Sequence, residues 1–305
     1  MPRPGIIIVG PPRSGTTLLR RLIDAHPNIA CPPETYVFTA AARFLHHERF
    51  GSGVDIGVLG GLGLAGFEDD AVIGRLREFA FGFLREYAQR QGKPRWAEKT
   101  AFSAFHLPAI RRLCRGHVQF ICLQRNGLDA VLSLAELVDK TGGYVAELHA
   151  HLRQHADPQL ALAHAWVEAA NAVADLADGE NDVLDLRYED LVAHPDATLR
   201  RVLSFLDEPW HEGLVETALT NTAGVGFGDW KTYGRAKIDA SSVGRQSAES
   251  AATIASLVPV CGPTLERLGY PVPTVVSRSP TDAQARRRYE LGLLVNRMHR
   301  PRDPE

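Results

Sequence analysis

The chain has 305 residues, 45% of them hydrophobic and 23% charged, which suffices for one large domain or two small ones with a substantial core. A net charge of −2 excludes the strong basic excess of a nucleic-acid-binding protein, so any anion site has to be built locally. No apolar run reaches the roughly 20 residues that span a bilayer, and the opening "IIIV" is too short for a signal-peptide core.

Cys31, Cys114, Cys122 and Cys261 are scattered, with no metal-ligand spacing, and are expected to be reduced structural thiols in a cytoplasmic protein. Residues 6–9, "IIIV", read as a strand. "GPPRSGTTLL" at 10–19 follows as a glycine turn opening a helix, in which Leu18, Leu19, Leu22 and Ile23 recur at helical spacing. His26 and Pro27 end that helix, and Pro32 and Pro33 keep "NIACPPETYVF" extended. Residues 51–66 are glycine-rich with Asp55 as their one charge, and read as a mobile loop because each glycine costs a helix about 1 kcal/mol.

Further on, 70–91 reads as a helix, "RWAEKT" and "VQFICL" as strands, and "LPAIRRLCR" as a helix between them. "GLDAVLSLAELV" and the stretch marked by Leu162, Trp166, Ala169, Val173 and Leu176 are amphipathic helices. "DVLDLRYEDL" is a strand entering a turn, and "PDATLRRVLSFL" a helix. Strands separated by helices predict an α/β fold of the P-loop type, in three layers, with a central, mainly parallel sheet flanked by helices. One domain is expected over 1–275, with 51–91 variable and facing the substrate. A helical C-terminal extension at 276–305 carries Leu291, Leu294, Val295 and Met298 on one face and would suit a homodimer contact.

"GPPRSGTT" has the frame of a phosphate loop. Gly10 and Gly15 would let the backbone curl round an anion, which the first N–H groups of the helix attract. Ser14, Thr16 and Thr17 add hydroxyls and Arg13 a planar charged fork, but Thr16 stands where such loops carry a lysine. Nucleotide hydrolases use that lysine and Mg²⁺ on the β- and γ-phosphates, so its replacement favours a shorter charged chain such as a 5′-phosphosulfate. A P-loop kinase or nucleotide hydrolase, with Asp185 as the metal carboxylate, is the alternative, and a non-catalytic nucleotide-binding protein is the other.

"LQRNGLDAVLSL" places Arg125 after a strand and Ser133 in the next helix, where both can converge on one dianion. Together with "PPRSGTTLL" it resembles the sulfotransferases that use 3′-phosphoadenosine 5′-phosphosulfate (PAPS). The resemblance extends over about residues 5–250. It implies that Arg13, Ser14, Gly15, Thr16 and Thr17 hold the 5′-phosphosulfate and that Arg125 and Ser133 hold the 3′-phosphate. It also implies a cofactor contact from Tyr188 in "LRYEDL". "GDWKTYGRAKIDASSVGRQ" looks like the lid of bacterial members, whose cations are here Lys231, Arg235, Lys237 and Arg245. Lys231, Tyr233 and Arg245 are the lid contacts expected from it.

For the base, animal cytosolic members have a histidine in a "KTH"-like motif, where this chain has Ala101 in "EKTAF". "LIDAHPNIACPPET" is similar instead to the tyrosylprotein sulfotransferase segment whose glutamate is the base, which implies Glu34, presented rigidly after the two prolines. His106 is the fallback. Lys99 matches the family lysine at the bridging oxygen, a task that suits a point charge. Glu98 beside it should face the other side of the strand. Sulfuryl transfer to a hydroxyl of a small molecule, lipid or glycan is therefore expected, with catalytic roles for Glu34, Lys99 and Arg13, and with neither a metal nor a nucleic-acid partner.

Overall fold

The computed structural model describes residues 5–51, 53–178, 182–220, 237–274, 287 and 289–292. Five strands form the central sheet: β1 (Gly5–Val9), β2 (Ile29–Ala30), β5 (Arg95–Lys99), β6 (Val118–Gln124) and β7 (Val183–Arg187). They lie in the order β2-β5-β1-β6-β7, and every pairing is parallel. A separate two-stranded antiparallel hairpin joins β3 (His47–Phe50) to β4 (Val54–Gly57).

Parallel strands are buried on both faces, so their apolar residues run together and are sorted by parity. Ile7, Val9, Trp96, Phe120 and Cys122 enter one core, and Ile6, Ile8, Ala97, Ile121 and Leu123 enter the other. The first core is closed by α2 (Val37–Phe44), α4 (Asp69–Arg90), α5 (Leu107–Cys114) and α8 (Pro158–Ala177). Phe38, Phe81 and Trp96 meet there, with ring centroids 4.9–6.2 Å apart. The second core is closed by α1 (Thr16–Asp24), α10 (Pro195–Phe205) and α11 (Leu214–Thr220). A third packs α6 (Gly127–Thr141) and α8 against α12 (Ala251–Arg267). The three-layer α/β expectation holds.

Two segments depart from the sequence reading. The extended stretch after Pro33 ends early, because α2 begins at Val37. Residues 51–66 are not a loop: β4 is followed by α3 (Val58–Leu64). Helix α3 has no buried residue, but Leu59 packs against the first core and offsets part of the glycine cost. All four cysteines are buried free thiols. Among the described residues no helix is long and apolar enough to cross a membrane. Most of 276–305 lies outside the described residues, and Leu291 within it is exposed.

Candidate active site

Every parallel strand delivers a residue of the site from its carboxyl end. After β1 comes the loop to Gly15, after β2 comes Glu34, and β5 ends on Lys99. Arg125 follows β6 and Tyr188 follows β7. Such a sheet gathers ligands outside its carboxyl edge. The loop, Glu34, Arg125 and Tyr188 line one cleft, whose empty space is ≈ 1000 Å³ with its open mouth included, and Lys99 is buried behind its wall.

The loop folds as its glycines require. Gly15 has φ 89°, and a Cβ there would meet the Tyr188 ring at 2.3 Å. Arg13 also lies in the left-handed region, at φ 71°, and its Nε donates to Ser133 Oγ at 3.3 Å. The loop is thereby fastened to α6. Ser14 is buried, and its hydroxyl has no hydrogen-bond partner. With Thr16 and Thr17 opening α1, this is a cradle for an oxyanion: orphan helix N–H groups, hydroxyls and a guanidinium.

Arg125 is buried and lies over the Tyr188 ring, its guanidinium carbon 4.5 Å from the ring centroid. It donates to Arg13 O at 2.7 Å and to Ser242 O. Burial lowers its proton affinity from the ordinary value, and Tyr188, Asp129 and Glu189 oppose that shift. It remains a cation, as arginines in proteins do. Asp129 is not its salt-bridge partner. That carboxylate instead takes the backbone N–H groups of Gly244, at 2.7 Å, and Gln246, at 2.9 Å. It thus straps the 237–246 segment over the cleft, which Lys237, Asp239 and Ser242 help to line. Asn126 caps α6 by accepting from the N–H groups of Leu128 and Asp129, which sets the turn from which Arg125 projects.

Glu34 and Lys99 meet at the far wall. Lys99 Nζ is 2.7 Å from Glu34 Oε1 and 2.9 Å from Thr17 Oγ1, and the Lys99 side chain is only 1% exposed. Tyr36 OH donates to Glu34 Oε2 at 3.0 Å and Ala101 N–H donates to Oε1 at 3.3 Å. Helix α1 anchors the segment that carries Glu34, because Arg20 donates to Cys31 O and Asp24 accepts from Cys31 N–H, both at 2.8 Å.

A second, apolar cavity of ≈ 570 Å³, open space included, adjoins the cleft and shares Phe102 and Leu137 with it. Leu134, Val138, Val145 and Leu148 form the rest of its apolar wall, and no charged side chain is among the described residues that line it. Phe102 directly follows Ala101, the backbone partner of Glu34.

Of the expected site residues, Arg13, Gly15, Thr16, Thr17, Glu34, Arg125, Ser133 and Tyr188 line the cleft, with Ser14 and Lys99 buried against it. Arg245 does not line it. It pairs with Glu136 at 2.8 Å, because the strap turns its side chain onto α6. Lys231, Tyr233 and Arg235 lie outside the described residues. His106 contacts Glu147 Oε1 at 3.2 Å and does not line the cleft. Asp185 does not line it either. No described residue of 51–91 lines either cavity. Sequence reasoning did not single out Tyr36, Thr100 or Phe102, since nothing in their spacing marks them, and it gave the strap's cleft position to Arg245 instead of Lys237.

A parallel α/β sheet with an anion-type loop and a carboxylate–ammonium pair at its carboxyl edge has the layout in which α/β proteins gather ligands. A family model described as the sulfotransferase family matches residues 4–212, and the chain belongs to that family. Protein-tyrosine sulfotransferase A of Caenorhabditis elegans is 28% identical over 212 residues, 68% of this chain and 51% of that protein. Protein-tyrosine sulfotransferase 1 of Danio rerio is 28% identical over 215 residues, 70% of this chain and 55% of the other. The chain spans about half the length of these curated relatives. The fold is similar to that of the sulfotransferase domain of the curacin biosynthetic pathway, with a TM-score of 0.61 at 20% identity over 88% of this chain and 99% of the other.

Proposed function

We propose that this protein transfers a sulfuryl group from PAPS to a hydroxyl of an apolar organic acceptor, with Glu34 as the base. The observation that carries this reading is the buried Glu34–Lys99 pair beside the anion loop. Sulfuryl transfer forms a bond between the acceptor oxygen and sulfur and breaks the bond between sulfur and the phosphate oxygen. The acceptor proton needs a base, which Glu34 can be, and the leaving oxygen needs a cation.

The donor supplies the activated sulfuryl group. Arg13, Thr16, Thr17 and the α1 N-terminus bind its phosphosulfate, and Arg125 with Ser133 binds the 3′-phosphate. Lys99 stands between Thr17 and Glu34 and serves both sides: it hydrogen-bonds and orients the Glu34 carboxylate, and it takes the charge that develops on the leaving oxygen. Glu34 accepts the acceptor proton.

The apolar cavity past Phe102 and Leu137 is a site for the acceptor's body, with its hydroxyl directed to Glu34. Its size is ordinary for a small-molecule site, and its uncharged wall favours an aryl or alkyl hydroxyl over an acidic peptide. The test is transfer from ³⁵S-labelled PAPS to 2-naphthol, a long-chain alcohol, an acidic tyrosine peptide and a polysulfated sugar. Label is expected in the first two. Label confined to the peptide or the sugar would overturn the acceptor class. Absence of any transfer, with no 3′,5′-ADP binding by calorimetry, would overturn the function.

A further inference from the structure

Glu98 has no part in the chemistry above, yet it is a carboxyl group with no solvent exposure beside the proposed base. It lies on β5 opposite Ile7 of β1, on the face of the sheet that carries Trp96 and the first core. Its Oε1 accepts from Thr35 Oγ1 at 2.9 Å and from Thr100 Oγ1 at 2.6 Å. Its Oε2 is buried with no hydrogen-bond partner. A buried carboxyl with an orphaned oxygen is a standing cost to the fold. Burial holds its proton affinity above the ordinary value, against the two threonine hydrogen bonds and Lys99.

What that cost secures lies one bond further out. Thr35 and Tyr36 directly follow Glu34 in the chain. The Thr100 hydroxyl that donates to Glu98 also accepts from Tyr36 N–H at 3.2 Å. Tyr36 is held at φ 56°, a left-handed conformation that is strained for a non-glycine residue and needs outside support. In that conformation its hydroxyl reaches Glu34 Oε2. Glu98 is the shared acceptor from which both threonines hang.

We propose that Glu98 is a positioning residue: through Thr35 and Thr100 it holds the left-handed turn at Tyr36 that aims the Glu34 carboxylate. This rests on the reading of Glu34 as the base, but the turn itself can be tested without activity. Nothing in the arrangement needs a charge on Glu98. It needs an oxygen that accepts two hydroxyls, which the amide of glutamine also offers.

The experiment compares Glu98→Ala, Glu98→Gln and Thr35→Val. Thr35 is exposed, so its variant should fold even where Glu98→Ala does not. Amide hydrogen exchange of 34–37 in the ligand-free protein should rise about tenfold in Glu98→Ala, severalfold in Thr35→Val and little in Glu98→Gln. With PAPS and 2-naphthol, or whichever hydroxyl of the panel is labelled, kcat should fall about thirtyfold in Glu98→Ala and about fivefold in Thr35→Val. It should recover to within threefold of the parent in Glu98→Gln. The KM for PAPS and the Kd for 3′,5′-ADP should stay within twofold throughout. Unchanged exchange at 34–37 in Glu98→Ala and Thr35→Val overturns the proposal, as does a kcat in Glu98→Gln as low as in Glu98→Ala. If no acceptor turns over, the proposed function fails while the exchange measurement still decides whether Glu98 holds the turn.

Discussion

The proposed donor and acceptor sides of the cleft are built on different principles. The donor side is made of backbone turns locked by buried charge, with Gly15 against Tyr188 and Arg125 tied to Arg13 and Ser242. The proposed acceptor side is a gap between apolar side chains of α6, Phe102 and the 143–148 segment, with no charge among the described residues of its wall. The first arrangement discriminates by hydrogen-bond geometry and tolerates little change. The second discriminates by shape and apolar area, and can be recut without disturbing the first. Two carboxyl groups lie where the two halves meet, Glu34 as the proposed base and Glu98 beside it on β5.

Substitutions on either side should separate the halves. The largest effect belongs to their junction: Glu34→Gln should lower transfer by about 10²- to 10⁴-fold while calorimetry finds 3′,5′-ADP affinity nearly intact. Arg125→Ala removes charge-assisted hydrogen bonds of about 1.5–3 kcal/mol each and should weaken 3′,5′-ADP by about 10- to 150-fold, whatever the acceptor. Leu137→Glu places a charge in the apolar wall and should lower kcat/KM for 2-naphthol by at least about tenfold, with the Kd for 3′,5′-ADP unchanged. If Leu137→Glu changed the nucleotide affinity instead, the division into two sides would fail. Asp129→Ala releases the strap from α6 and should weaken 3′,5′-ADP by on the order of five- to tenfold, read as a faster off-rate.

The smallest effect lies outside the cleft. His26 Nδ1 accepts from Asn28 N–H, so its Nε2–H donates to Pro209 O, and the folded protein holds the neutral ring. Burial lowers its proton affinity. The folded state therefore binds fewer protons than the unfolded one as the pH falls below about 6.5. Stability from this group is full above that pH and lost as the pH falls through the folded value. Thermal melts of His26→Gln should show a shallower loss between pH 7 and pH 5 than the parent.

The residues placed on the proposed donor side could be read from the sequence because they are local. "GPPRSGTT" places the loop by its own turn preferences, and Arg125 and Ser133 lie on a single strand–helix unit. The acceptor side was not legible in the same way. The glycines of 51–66 predicted a loop facing the substrate, but a helix formed because Leu59 found the core, a tertiary contact that propensity does not contain. The apolar cavity arises between segments distant in sequence. The turn at Tyr36 depends on Glu98 and Thr100, more than sixty positions away. Among the lid cations the sequence favoured Arg245, and the path of the strap instead brings Lys237 to the cleft and turns Arg245 onto Glu136.

The five strand ends have one more consequence. Since β1, β6 and β7 each lead into a residue that lines the cleft, a nucleotide bound there as proposed would touch several strand ends at once. Such a ligand would act as a cross-brace for the fold. At a hundred times its dissociation constant it adds about 2.7 kcal/mol to the folded state. Melting temperature against 3′,5′-ADP concentration becomes a gauge of donor-side integrity that requires no knowledge of the acceptor.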